Sequence, residues 1–203
     1  LLVAYPLAYA ISRAKPRSQK ICIMLTMLPM WMNFLIRTYS IMAILEDTGF
    51  LNSLLGRIGL PPLHIINTGG AVIFGMVYNY LPYMVLPIYT VLSKLDNRLL
   101  EASADLGCTP MQTFFKVVMP LSRSGVVSGV TMVFVPSVST FYISQKLGGG
   151  KFQLIGDVIE RQFQSAYNYN LGAAMSLVLM VLILLSLAVM NRYSDEGEGG
   201  LIA

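Results

Sequence analysis

Long apolar runs separated by short polar loops constrain the fold of this chain more than any other feature. A helix needs about 20 apolar residues to cross the hydrocarbon layer of a membrane, and the runs at 21–45, 69–92 and 171–190 reach that length. A fourth run at 126–143 is shorter, and residues 1–11 have the composition of the closing half of a fifth. The pattern predicts an all-α polytopic membrane protein whose N-terminal part is truncated.

Charged residues are scarce and lie between the apolar runs. They make up 12% of the 203 residues, which is about half the share expected of a soluble globular protein. The net charge of +4 does not indicate a nucleic-acid surface, because the basic residues do not gather along one face. The charges are more informative about the orientation of the chain in the membrane.

Lysine and arginine accumulate in the cytoplasmic loops of membrane proteins, and here their distribution is uneven. Nine of them fall on one side of the predicted spans and four on the other, while Arg37 lies inside a span. The nine are Arg13, Lys15, Arg17, Lys20, Lys94, Arg98, Lys116, Arg123 and Arg192, and the four are Arg57, Lys146, Lys151 and Arg161. We therefore expect the loop at 93–120 to be cytoplasmic and the loops at 46–68 and 144–170 to be external, each with a short amphipathic helix.

The cytoplasmic loop carries end signals for two consecutive helices. Asp96 is a suitable N-cap for the first helix, and Gly107 falls where a helix ends in the left-handed conformation. Thr109, Pro110 and Gln112 form a capping-box pattern for the second helix. The pattern predicts a helix–turn–helix on the cytoplasmic face.

Each helix of this pair has an apolar stripe that we expect to pack against the membrane-spanning helices. The stripes are Leu95, Leu99, Ala102 and Leu106 in the first helix, and Met111, Phe114, Phe115 and Val118 in the second. Glu101 and Asp105 share another face of the first helix, where Arg98 can partly neutralise Glu101. This acidic face has two interpretations, a solvated helix surface or a docking surface for a partner.

The order of residues between Glu101 and Pro120 resembles the EAA loop of ABC importer permeases. The family pattern is Glu-Ala-Ala, three residues, Gly, nine residues and Ile-x-Leu-Pro. Glu101, Gly107 and Pro120 stand in register with it, and the mild departures are Ser103, Val117 and Met119. The resemblance implies that the loop seats in a cleft of a separate ATPase. Its coupling residues would be Glu101, Ala102, Asp105, Gly107 and Pro120.

Other stretches resemble the spermidine/putrescine permeases of the PotB type within that family. They include "LPMWMNFLIRTYS", "YNYLPYMVLPIY" and "FYISQKLGGG", and the similarity extends over nearly all of the chain up to Arg192. It implies the type I ABC importer permease fold (MetI-like), which has five to six transmembrane helices. The apolar runs of this chain supply four full spans and part of a fifth. The resemblance further implies one permease domain at 1–192, with its coupling loop at 93–120, a polar cytoplasmic tail at 193–203, and a multi-pass location in the bacterial cytoplasmic (inner) membrane.

The same resemblance implies partners and assigns the cofactors to them. The partners are a second homologous permease of the PotC type, an ATPase dimer of the PotA type and an external polyamine-binding protein of the PotD type. ATP and Mg would be bound by the ATPase, so this chain is expected to be a transport subunit without cofactor, metal or enzymatic activity. The sequence agrees, because "GGGK" at 148–151 lacks the upstream glycine and the following Ser/Thr of a phosphate-binding loop.

A polyamine is a polycation, so its path should offer carboxylates, carbonyls or aromatic faces. The predicted spans contain no acidic residue, which leaves their polar and aromatic side chains. The pathway candidates are Trp31, Asn33, Tyr39, Tyr78, Asn79, Tyr80, Tyr83, Phe141 and Tyr142. Glu46 and Asp47 stand at the predicted outer mouth, where they can attract a cation. We expect broken helices near Pro29, Pro82 and Pro136. Ordinary helix packing or interface anchoring is the better explanation of any single aromatic residue, and the group near these prolines is more typical of a channel wall.

Two isolated side chains need separate interpretations. Arg37 lies about 24 Å along a helix that starts at Ile21, so we expect it to snorkel to the outer surface. A gate salt bridge with the partner permease is the alternative. His64 in the outer loop is expected to be incidental.

Other functions remain open on the sequence. An importer of the same superfamily for sulfate, molybdate, phosphonate or ferric iron would share the coupling loop. A secondary transporter or channel would work without ATP and without a docked ATPase. A membrane enzyme is not supported, because the chain has one histidine, no metal-ligand spacing and no acid pair in its spans.

Overall fold

The computed structural model describes residues 1–199, and this part of the chain is mostly helical and contains no strand. In chain order the elements are α1 (Ala4–Ser12), α2 (Pro16–Trp31), α3 (Phe34–Leu45), α4 (Phe50–Arg57), α5 (Gly69–Ser93), α6 (Asn97–Asp105), α7 (Pro110–Thr113), a π-helical segment (Phe114–Val118), α8 (Met119–Leu121), α9 (Arg123–Ser139), α10 (Tyr142–Leu147), α11 (Ile155–Gln164) and α12 (Tyr169–Gly199). The short helices α4 and α11 occupy the two loops predicted to be external.

Two helices are long and apolar enough to cross a membrane alone. They are α5 and the part Tyr169–Met190 of α12. Two bent pairs also pass as spans, namely α2 with Phe34–Arg57 at 99° and Pro110–Leu121 with α9 at 62°. If each bent pair is one span, the described residues hold up to four, which is the number of full spans predicted from the apolar runs.

The run at 21–45 was expected to form one span, and the structure breaks it between Trp31 and Phe34. Asn33 begins the second helix, because its side-chain Oδ1 accepts a hydrogen bond of 2.8 Å from the backbone N–H of Leu35. Asparagine is among the strongest N-cap residues. The break therefore follows from a local start signal that the length of the apolar run conceals.

Proline positions predicted the breaks only in part. The run at 126–143 is divided, since α9 ends at Ser139 and α10 begins at Tyr142. The expected break near Pro82 is wrong, because α5 continues through both Pro82 and Pro87. A proline removes one backbone donor, and membrane helices tolerate this loss through local adjustment and neighbouring partners.

The chain divides into two compact units. Among the described residues, the first comprises Leu1–Thr26, Leu81–Phe134 and 184–199, and the second comprises Met27–Tyr80 and Val135–Ile183. Residues 200–203, which end the predicted polar tail, lie outside the described residues. The expectation of a single permease domain at 1–192 stays a prediction.

The core of the first unit is built from α1, the second half of α5 and the π-helical segment. Its largest fully buried side chains are Ile88, Leu92, Val85 and Val118. The Tyr5 hydroxyl lies 2.6 Å from Ser122 Oγ at the bend between α8 and α9. The Tyr5 ring also meets the ring of Phe114 edge-on at a centroid distance of 5.7 Å. These contacts fix the bend to α1.

Helix α9 approaches α5 through its glycines, as the GxxxG spacing of Gly125 and Gly129 predicts. A Cβ atom on Gly125 would lie 2.9 Å from the carbonyl oxygen of Pro87 and 3.2 Å from Cα of Ile88. A Cβ atom on Gly129 would lie 2.9 Å from Met84 Sδ. The two backbones are therefore too close for any side chain at position 125.

In the second unit α3, the first half of α5 and α10 share a core of Ile41, Leu45, Ala71, Val72, Ile143 and Leu147. Gly75 permits this packing, since a Cβ atom there would collide with Leu147 Cδ1 and lie 3.1 Å from Ile143 Cγ2. The carbonyl oxygen of Leu147 also accepts a hydrogen bond of 2.9 Å from the backbone N–H of Asn67. Helix α10 is thus held on one side by fully buried residues.

We predict that Gly125→Ala destabilises the protein by about 1–3 kcal/mol, because overpacking a close helix contact forces the backbones apart. Gly56→Ala is the matched control, since Gly56 lies in α4 and a Cβ atom there meets nothing within 4 Å. The thermal midpoint of the purified membrane protein measures both changes. Equal midpoints for the two variants would contradict the close approach of α9 to α5.

Candidate functional site

Three sequence-encoded devices shape the loop between α5 and α9. Asp96 caps α6, its Oδ1 accepting a hydrogen bond of 2.9 Å from the Arg98 N–H. Gly107 ends the helix with φ of 78°, a conformation that favours glycine. Thr109 and Gln112 form the predicted capping box, in which the Thr109 N–H donates to Gln112 Oε1 at 2.9 Å. We call residues 96–121 the coupling elbow.

Side-chain contacts connect the two arms of the coupling elbow. Ser103 is buried and its Oγ lies 2.9 Å from Thr113 Oγ1, while the same hydroxyl donates to the Leu100 carbonyl at 2.8 Å. Ser103 replaces an alanine of the family pattern, so the sequence comparison marks it as a departure. In the structure this substitution joins α6 to α7.

Three of the four residues in the predicted apolar stripe of the first helix do not face the rest of the chain, whereas the fourth, Leu95, packs against the core of the first unit. Leu99 is 46% exposed and Leu106 is 85% exposed, whereas the side chains turned inward are Leu100 and Ser103. The stripe was assigned by helical spacing alone, which finds an apolar face but not the side of the chain on which that face lies. The expectation that this stripe packs against the spans is wrong for Leu99, Ala102 and Leu106, which are all exposed.

The apolar stripe of the second helix in the coupling elbow is also divided between exposed and buried side chains. Met111 is 67% exposed and Phe115 is 52% exposed, while Val118 is fully buried and Phe114 packs against the core. The π-helical turn over Phe114–Val118 rotates the side chains relative to an α-helix. Pro120 follows this turn and supplies no backbone N–H. Half of the predicted stripe thus faces outward.

The coupling residues predicted from the resemblance lie together on the coupling elbow. Glu101, Ala102, Asp105 and Gly107 are exposed, and Pro120 is half-buried. Among the described side chains no salt bridge joins Arg98 to Glu101. The elbow therefore presents two carboxylates beside exposed leucine, methionine and phenylalanine side chains.

Two pathway candidates of the second unit, Tyr39 and Tyr142, belong to an aromatic cluster. The rings of Tyr39 and Tyr142 meet edge-on at a centroid distance of 6.1 Å, and Phe34 lies 6.0 Å from Tyr142. Lys146 Nζ lies 5.4 Å from the centroid of the Tyr39 ring and 5.8 Å from that of the Tyr142 ring. Phe141, next in the chain to Tyr142, is partly exposed at the break before α10. Phe34 and Lys146 were not among the sequence candidates, because neither residue type at its position carries a distinctive motif.

The other pathway candidates are dispersed. Trp31 is 80% exposed at the end of α2, and the Tyr80 hydroxyl donates to the carbonyl of Pro136 at 3.0 Å. Asn79 is buried and donates to the Gly75 carbonyl at 2.8 Å, leaving its Oδ1 without a partner. Tyr83 belongs to the first unit. Whether these residues line a path stays a prediction.

The sequence predicts that the Arg37 side chain extends to the outer surface, and the structure places it elsewhere. Its side chain is buried, and Nη1 donates a hydrogen bond of 2.7 Å to the carbonyl of Pro29 near the end of α2. A cation favours the C-terminal end of a helix, where backbone carbonyls lack partners. Arg37 therefore bridges the break between α2 and α3. It also lines an apolar groove of about 560 Å³ together with Phe74 and Tyr78.

The outer loop after α3 is organised by one buried asparagine. Asn52 donates to the carbonyls of Leu63 at 3.0 Å and Glu46 at 3.3 Å, and accepts from the Leu63 N–H at 2.8 Å. His64 Nδ1 consequently lies 2.9 Å from Asp47 Oδ1. His64 was expected to be incidental, and its contact with a predicted outer-mouth acid was missed because the two residues are distant in sequence.

A polar pocket in the second loop predicted to be external was also missed by sequence reasoning. Asp157 and Glu160 line a polar pocket of about 310 Å³ with Arg161. Asp157 is buried and its Oδ2 accepts a hydrogen bond of 2.7 Å from the Leu154 N–H, so it caps α11. Gln145 donates to Glu160 at 2.8 Å. Within residues 1–199 no group of three potential ligands is placed to hold a metal ion.

Comparison with known proteins decides the family. A family model described as binding-protein-dependent transport system inner membrane component matches residues 4–196. The chain is 42% identical to the spermidine/putrescine transport system permease protein PotB of Haemophilus influenzae, over 95% of this chain and 68% of that protein. It is 38% identical to the PotB protein of Escherichia coli K12, over 96% of this chain and 71% of that protein. The chain belongs to the family of binding-protein-dependent transport inner membrane components.

Solved structures confirm the fold of this family member. The crystal structure of a bacterial ABC transporter that imports the acidic polysaccharide alginate superposes with a TM-score of 0.71, covering 96% of this chain and 73% of that chain. The same kind of transporter in complex with an alginate pentasaccharide-bound periplasmic protein gives a TM-score of 0.72, covering 95% and 71%. At 15% identity these likenesses concern the ABC permease fold alone. Family membership makes this chain an inner-membrane transport component and not an enzyme.

We predict that Asn52→Ala loosens the outer loop between α3 and α5. The substitution removes three hydrogen bonds of a buried side chain, each worth about 1 kcal/mol, and leaves the Leu63 backbone N–H unpaired. Limited proteolysis of the protein in right-side-out vesicles measures the change as faster cleavage within 46–64. Ser53→Ala, at the exposed neighbouring position, is the control and should cleave at the unmodified rate; equal rates for Asn52→Ala would refute the role of Asn52.

Proposed function

We propose that this chain is the permease subunit of an ATP-driven ABC importer that carries polyamines, such as spermidine and putrescine, into the bacterial cell. The observation that carries the proposal is its 38–42% identity to spermidine/putrescine permeases over at least 95% of its length. The chain forms half of the translocation pathway, and a second homologous permease forms the other half. An external polyamine-binding protein delivers the substrate.

The aromatic cluster supports a cationic substrate. Two cations of the chain already lie over its rings, Lys146 over Tyr39 and Tyr142, and Arg37 with Cζ 5.9 Å from the centroid of Phe34. Aromatic faces attract ammonium groups without a carboxylate, which suits spans that contain no acid. An anion such as sulfate, molybdate or phosphonate would gain nothing from these faces.

The coupling elbow supports a separate ATPase as the source of energy. Exposed Leu106, Met111 and Phe115 form an apolar surface beside the carboxylates of Glu101 and Asp105. Apolar side chains grouped on a polar loop are typical of a protein interface. In this proposal the ATPase dimer binds ATP and Mg, its closure moves the coupling elbow, and α9 carries the movement onward because it follows the elbow directly.

The substrate is tested by uptake. Cells that lack the gene should lose most uptake of radiolabelled putrescine or spermidine and regain it on complementation with the intact gene. Uptake of sulfate, molybdate, phosphonate and ferric iron is measured in the same cells as a control and should not change. Undiminished polyamine uptake, or a matching loss for one of the other solutes, would refute the polyamine assignment.

Coupling is tested by reversing one charge. We expect Glu101→Lys to lower ATP-driven uptake by about tenfold or more, because a reversed charge at an interface costs several kcal/mol. The ATPase should also be lost from the purified complex or hydrolyse ATP without transport. Lys15→Glu reverses an exposed charge on the same predicted side outside the elbow, and should retain both transport and the ATPase. Full transport by Glu101→Lys would contradict docking at this face.

A further inference from the structure

Lys146 of α10 lies against two aromatic rings and not in open solvent. It follows Tyr142 by one helical turn of α10, so the two side chains share a face. Its ammonium nitrogen lies within 6 Å of two tyrosine centroids, at 5.4 Å for Tyr39 and 5.8 Å for Tyr142. Both distances are in the range of a cation–π interaction. In the described part of the chain no carboxylate forms a salt bridge with it.

The two rings are presented by a firm scaffold. On a different face of α10, Ile143 and Leu147 are fully buried, and both lie close to Gly75 of α5. Tyr39 lies on α3 next to the fully buried Thr38, whose hydroxyl donates to the Phe34 carbonyl at 2.9 Å. The ring geometry is therefore set by the core of the second unit and not by Lys146.

The site is nevertheless reachable. Tyr39 is 44% exposed, and Tyr142 and Lys146 are both half-buried. Both carboxylates of α11 have other partners, since Asp157 accepts a hydrogen bond from the Leu154 N–H and Glu160 accepts one from Gln145. The Lys146 ammonium rests on a flexible four-carbon stem and can leave, because no carboxylate of the described residues forms a salt bridge with it.

The lysine side chain is a four-carbon chain that ends in a primary ammonium group, and this is also the chemistry of one end of putrescine. We propose that Tyr39 and Tyr142 form a binding site for the terminal ammonium of the transported polyamine, and that Lys146 occupies this site until the substrate displaces it. The inference rests on the proposed function, since only a primary-ammonium substrate matches the group that the rings now hold. Lys146 then acts as an intramolecular competitor, which lowers the apparent affinity of the site for polyamine.

The test compares Lys146→Met with wild type in proteoliposomes that contain the complete transporter and a fixed concentration of the binding protein. Methionine keeps a flexible side chain of similar length but carries no charge. We expect the putrescine concentration at half-maximal uptake to fall by about fivefold, the value of one cation–π interaction of about 1 kcal/mol. Lys146→Arg retains a cation and should resemble wild type. Lys151→Met, at an exposed lysine of the same loop, is the matched control and should leave the concentration unchanged.

A second variant separates competition from a structural role. Tyr39→Leu removes one ring, so it should raise the half-maximal concentration and abolish most of the effect of Lys146→Met in the double variant. A half-maximal concentration that is unchanged or raised in Lys146→Met overturns the inference. If Lys146→Met does not reach the membrane, Lys146→Gln replaces it with the same expected outcomes. Wild-type transporter that imports no putrescine refutes the proposed function itself, whereas wild-type import without a shift in Lys146→Met refutes only the ammonium site.

Discussion

The close approach of α5 to its neighbours is the constraint on which each unit depends. In lipid, apolar side chains gain nothing by leaving solvent, so helices associate through backbone proximity and van der Waals contact. Gly125 brings α9 against the backbone of α5 near Pro87 in the first unit, and Gly75 brings α10 against α5 in the second. The coupling elbow leads into α9, and the Tyr142 ring stands on α10. Both proposed functional surfaces therefore rest on helix contacts made at a glycine.

Breaks between helices position the aromatic and cationic side chains of the second unit. Irregular backbone at membrane depth is tolerated only where protein or a cavity satisfies it. The break before α3 is satisfied by the Asn33 side chain and by the Arg37 guanidinium on the Pro29 carbonyl. The break before α10 places Phe141 and Tyr142 at a helix start. A continuous helix would direct these side chains to different faces. The breaks instead bring aromatic residues and cations together.

The coupling elbow follows a different logic, since its shape is local. Caps at Asp96 and Thr109 and the left-handed Gly107 fix two helices without help from distant residues. Its inner side is anchored by Val118 and by the Tyr5–Ser122 contact. An anchored base and an exposed apolar tip suit a lever that meets another protein. In the proposed importer, this geometry lets a movement of the tip reach α9 without unfolding the elbow.

The sequence by itself determined the membrane class, the elbow with its caps and the family, because these depend on run length, local end signals and residue order. Its four full spans stay a prediction, since the described residues hold two candidate spans, or up to four if each bent pair is one span. It located Tyr39 and Tyr142 as candidates but could not pair them with Lys146. It assigned Arg37 to the outer surface, which was wrong, and the stripe of the first elbow helix to the interior, which holds for Leu95 alone. Tertiary structure decided these cases, since helical periodicity identifies a face but not its neighbour, and the buried Arg37 guanidinium binds a carbonyl near the end of α2 that only the fold brings close. Only the folded chain brings such groups together.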